Sequence, residues 1–105
     1  MAQVTKENDW RQEIAEIYGE DYILRQLAEE ACELGQAALK LIRVWNNEKT
    51  PVEEGEALRH LLEEMADVLV MMDVTATGAL ELEDMDGIAE LAGAKAARMR
   101  ERMLT

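Results

Sequence analysis

Two short stretches carry side chains that can do chemistry together. LAEEACELGQ places Glu30 and Glu33 three residues apart, and LLEEMADVLVMMDV repeats the device with Glu64 and Asp67. On a helix, residues three apart share a face about one turn from each other. If the two segments pack antiparallel, four carboxylates converge at one edge of a core. Four such charges repel unless a cation neutralises them. Their oxygens are hard ligands, and Mg²⁺ suits them best, held by a few carboxylates and otherwise by water and phosphate. Mn²⁺ is a substitute of the same preference. Such a site can neutralise a phosphorylated substrate, activate a bound water, and use one carboxylate as a general base.

Asp67 is the least ordinary of the four, because Val70 and Met71 follow it on the helix surface. A carboxylate among apolar side chains is costly unless paired, hydrogen-bonded or metal-bound. Spacing alone does not single out the cluster. Glu13 and Glu16 share it on what reads as an ordinary solvated face. A di-iron bundle would need Glu-x-x-His on two helices. The one histidine is His60, with Ala57 three residues before it, so that chemistry does not fit. His60 lies one turn before Glu64 and reads as a surface histidine within reach of the same cleft. Cys32 is the only cysteine, has no histidine near it in sequence, and reads as a small buried hydrophobe.

The elements that must position these residues read as four helices. A short first helix is expected from about Asn8 to Tyr18, with Trp10, Ile14 and Ile17 on one side. Gly19 ends it and Asp21 caps the next. The second helix is expected from about Asp21 to Trp45, its core stripe being Leu24, Leu27, Ala31, Leu34, Ala38, Leu41 and Trp45. Asn46 and Asn47 end it. The third is expected to start with Thr50 as N-cap, Pro51 and a capping-box Glu53, and to run to Thr77, with Gly78 stopping it. The fourth is expected from about Asp84 to Met103, with Lys95, Arg98, Arg100 and Arg102 towards its C-terminal end, where the helix dipole favours them. Residues 1–7 read as a frayed terminus of a single domain spanning 1–105.

Composition agrees. Hydrophobic residues make up 49%, with no Phe and one Pro in 105 residues. The alphabet is helix-forming and the fold class is all-α. A formal net charge of −12 argues against nucleic acid or an anionic membrane as partner. An anionic substrate remains open if divalent cations accompany it. A single cysteine and the lack of a signal-peptide pattern fit a cytoplasmic setting, and no apolar run approaches the ~20 residues that span a bilayer.

Glu29-Glu30-x-x-Glu33 followed by Glu64-x-x-Asp67 resembles the EExxE…ExxD signature of the MazG-like, all-α nucleoside triphosphate pyrophosphatases. The surrounding text and the four-helix layout resemble it too, over residues 19 to 103. The resemblance implies a four-helix bundle-like fold whose core is completed by dimerisation, as a homodimer or a dimer of dimers. It implies hydrolysis of a nucleoside triphosphate to monophosphate and pyrophosphate, with Glu30, Glu33, Glu64 and Asp67 holding Mg²⁺. Lys95 and Arg98 loosely match the C-terminal basic pattern of such families. On physical grounds Lys40, Lys95 and Arg98 can neutralise phosphates, and Trp10 or Trp45 can stack on a base, although Trp45 reads first as core. The alternative is a non-catalytic helical dimerisation module with a vestigial acidic site.

Overall fold

The computed structural model describes residues 9–48 and 52–104. The fold is all-helical, and no strand occurs among the described residues. Four α-helices follow in order: α1 (Trp10–Tyr18), α2 (Glu20–Trp45), α3 (Glu54–Asp73) and α4 (Asp86–Leu104). A π-helical segment, Val74–Ala79, continues α3. The α2–α3 hairpin is the most extensive packing unit, and α1 lies against the π segment and the start of α2.

Gly19 joins α1 to α2 with φ +91° and ψ 159°, a backbone that side chains oppose. It is the C-cap of α1 and the N-cap of α2 together. Asp21 is therefore not the cap expected from sequence. It lies in the first turn, where its charge complements the helix dipole. Asn46 and Asn47 do end α2. Asn47 adopts φ 56°, which asparagine tolerates better than most residues. Thr50 and Pro51 lie outside the described residues; α3 begins at Glu54, with Glu53 at the cap position and no side-chain cap bond.

The seam between α2 and α3 differs from the expected stripe by a rotation. Ile23, Ala37 and Leu41 are buried, and Leu27, Glu30, Leu34 and Val44 are partly so. These positions alternate by four and three, sharing Leu27, Leu34 and Leu41 with the expected stripe. Leu24, Ala31 and Trp45 instead face out, Trp45 being 59% exposed. Both stripes have helical period, and the sequence offers apolar residues on each. Packing against α3 selects the one that contains Glu30.

The third helix also ends differently. Its α-helical hydrogen bonding stops at Asp73, and a wider π turn runs through Gly78 instead of stopping there. The Leu80 N–H bonds to the Thr75 carbonyl at 2.9 Å, an i−5 link. All six residues of this segment are buried. Its packing requires Gly78, because a Cβ there would sit 2.5 Å from the carbonyl oxygen of Arg11. Ile23, Val74 and Ala79 form the core cluster, with Ile14, Ala15 and Met71 against it. Full burial of Ile23 contributes about 1.5–3 kcal/mol. Ile17, expected on the inner side of α1, is exposed.

Helix α4 begins two residues later than expected and buries no residue. Leu91, Met99, Met103 and Leu104 along it are all exposed. The radius of gyration is 17.6 Å, against about 13 Å for a compact chain of this length. No helix among the described residues is long and apolar enough to cross a membrane.

Candidate metal centre

The register that sets Ile23 beside Val74 brings the middle of α2 against the middle of α3. Glu30 and Glu33 descend from one helix and Glu64 from the other. One carboxylate oxygen from each of these three lies within 4.8 Å of the other two. Ligands of a single Mg²⁺, at ~2.1 Å from the ion, lie at most ~4.2 Å apart. Binding one ion would draw these oxygens closer together.

The three acids sit in different surroundings. Glu33 is exposed and Glu30 is half-buried in the seam. The Glu64 side chain is only 12% exposed. His60, one turn earlier on α3, places Nε2 3.1 Å from Glu64 Oε1. Glu64 Oε2 is buried and has no hydrogen-bond partner among the described residues. A buried carboxylate oxygen left unpaired costs roughly 1–3 kcal/mol or more. A cation ligated there would remove that cost.

The Glu30 carboxyl is pushed above its ordinary value. Loss of water is the main cause, followed by the negative charges of Glu33, Asp67, Glu64 and Glu29. Desolvation and like charge act together, as expected of clustered carboxylates without a counter-ion. The donor set is all carboxylate oxygen, one atom is orphaned, and one acid has its proton affinity raised by desolvation and like charge. These features fit a hard divalent cation such as Mg²⁺ or Mn²⁺.

Asp67 is placed differently from its sequence reading. It is exposed, so burial among Val70 and Met71 is not what sets it apart. The buried acid of that stretch is Glu64. Asp67 is nevertheless near enough for its charge to act on Glu30. Cys32 is exposed, correcting the expectation of a buried thiol; it lies on the outer side of α2 beside Glu29 and Glu33.

The expected cations are not gathered at the acids within this chain. Lys40 lies on α2, two turns beyond Glu33. Lys95 and Arg98 line a surface hollow with Met99, Glu101 and Arg102, all from α4 itself. An apolar hollow of about 290 Å³ lies between α1, α2 and α3, about one turn along the helices from the acids. Trp10, Tyr18, Tyr22 and Gln26 line it from α1 and α2, and Val70 and Met71 from α3. Tyr18 and Tyr22 stack at 4.9 Å. Gln26 is one turn before Glu30, so the hollow and the acids adjoin.

His60 is the site residue that spacing did not commit to. The signal was present in its i,i+4 relation to Glu64, but a lone histidine at that spacing on an acidic helix is common. Comparison with family models, curated proteins and solved structures returns no match.

Proposed function

We propose that the chain is a Mg²⁺-dependent nucleotide pyrophosphohydrolase of the MazG-like type, cleaving a nucleoside triphosphate to monophosphate and pyrophosphate. The observation that carries this reading is the convergence of Glu30, Glu33 and Glu64, the last with a buried, unpartnered Oε2. Glu30, Glu33 and Glu64 would hold the ion, with Asp67 completing the acid set at its exposed edge. Bound Mg²⁺ would neutralise phosphate oxygens and lower the pKa of a water molecule.

The chain's own groups supply the rest. One carboxylate of the set would position the attacking water and take its proton. The hollow lined by Trp10, Tyr18 and Tyr22 offers aromatic surface to a base, and Gln26 offers a donor and an acceptor to its edge. Lys40, two turns beyond Glu33 on α2, would meet the phosphate tail only if the tail extends along that helix. Lys95 and Arg98 take part only if an α4 is brought against the acid face, which a second copy can do.

A homodimer is part of the proposal. Leu58, Leu62, Met65 and Leu69 recur at spacings of four, three and four on α3, and all are exposed. They lie one residue, or about 100°, from the seam positions Ala57, Leu61, Glu64 and Val68. Leu24, Ala31 and Trp45 have the same one-residue offset on α2. In an antiparallel pair, equal offsets point to the same side of the pair. The two stripes therefore make one apolar face along the hairpin, which a second copy would cover.

The test is a panel of nucleoside triphosphates assayed for pyrophosphate, with Mg²⁺ and with chelator, on the wild type and Glu64→Gln. Metal-dependent release that is lost in the variant supports the reading. Equal release by both proteins removes it. The alternative of a non-catalytic dimerisation module predicts no release from either.

A further inference from the structure

We propose that His60 is a positioning residue for the acidic centre: its Nε2–H holds Oε1 of Glu64 so that Oε2 is presented as the ligand. This inference rests on the reading of the cluster as a divalent-cation site. It concerns a residue that neither the acid spacing nor the MazG-like signature includes.

His60 and Glu64 are one turn apart on α3, with Nε2 and Oε1 at 3.1 Å. An ionised carboxylate only accepts, so Nε2 carries the hydrogen. The contact leaves the two oxygens of Glu64 unequal. Oε1 is occupied, whereas Oε2 is buried and has no partner. A carboxylate facing Glu30 and Glu33 would otherwise gain by turning away from them, because like charges oppose its ionised form. The hydrogen bond opposes that rotation. The Glu64 side chain is 12% exposed, while the imidazole is 42% exposed. Ligating carboxylates are commonly fixed by such outer partners, and their removal weakens metal binding about 10–100-fold. A plain i,i+4 helix pair would instead change only the stability of the helix, by a few tenths of a kcal/mol.

The experiment is Mn²⁺ binding followed by electron paramagnetic resonance, without substrate, on the wild type, His60→Ala and His60→Gln. Circular dichroism and the melting temperature of the metal-free proteins serve as fold controls. Glutamine carries an amide N–H at a reach close to that of histidine Nε2. The expected result is a dissociation constant about 10–100-fold weaker in His60→Ala and close to wild type in His60→Gln, with all three folded. Unchanged affinity in His60→Ala overturns the positioning role. Equal loss in both variants also overturns it, since the imidazole would then be acting as a ligand. If the wild type binds no Mn²⁺, the metal reading itself fails and the role of His60 falls with it.

Discussion

Arg11 Nη1 donates to both carboxylate oxygens of Asp73, at 2.9 and 3.1 Å, across 62 positions of sequence. The same guanidinium donates through Nε to Asp9 at 3.2 Å, and Thr77 donates its hydroxyl to Asp73 at 3.3 Å. This network pins α1 to the point where α3 becomes π-helical. Asp67, six residues earlier on the same helix, has no cation partner among the described residues. One helix thus carries an acid paired to a cation and an acid whose charge acts on the cluster at Glu30.

The two should respond oppositely to loss of charge. Asp73→Asn should destabilise the fold by about 1–2 kcal/mol, a value kept modest because the pair is partly exposed. Asp67→Asn should leave the metal-free fold as stable or slightly more so, because it relieves repulsion on Glu30, while metal-dependent hydrolysis falls by orders of magnitude. Urea melts of both variants, with pyrophosphate assays on the second, check this. Glu13→Gln should do neither.

Gly78→Ala tests the π segment. The added methyl would meet the Arg11 carbonyl, which is backbone and cannot rotate away. The expected loss is about 1–3 kcal/mol, typical of overpacking. A melt within error of wild type would mean that α1 moves freely off the segment.

Glu30 sets a pH dependence whose sign is opposite to that of an ordinary salt-bridged acid. Its folded-state proton affinity is raised, so the native state binds more protons than the unfolded state between the ordinary value of 4.5 and the raised one. Stability from this group is present below that window and is lost as pH rises through it. Melting temperatures in chelator should show this fall, Glu30→Gln should flatten it, and millimolar Mg²⁺ should reverse it by binding the folded state.

Assembly is checked by light scattering. At micromolar concentration the mass should be at least twice the 11.9 kDa of one chain. Leu69, 65% exposed in the single chain, is the position to challenge. Leu69→Glu should shift the mass towards a monomer without unfolding the hairpin.

The all-α class and the pairing of the acids were legible in the sequence because helical period and capping residues are local. Gly19, Asn46 and Asn47 marked their boundaries for the same reason. The rotation of the α2 seam was not legible. Apolar residues occupy two adjacent stripes, and only the partner helix decides between them. The π segment was hidden because its geometry depends on α1 approaching Gly78. Asp67 was read as set among apolar neighbours at the edge of the core, yet it is exposed and the turn of helix that faces inward carries Glu64. His60 and the Arg11–Asp73 contact are side-chain pairings that local pattern does not single out.

Hydrolysis between the α and β phosphates is the reaction proposed for the Glu30–Glu33–Glu64 centre. Phosphorus NMR of a nucleoside triphosphate incubated with the protein and Mg²⁺ tests it most directly. Monophosphate and pyrophosphate should grow in equal amounts, stopped by chelator and by Glu64→Gln. Orthophosphate with diphosphate as the products, or no turnover of any common nucleoside triphosphate with Mg²⁺ or Mn²⁺, would contradict it.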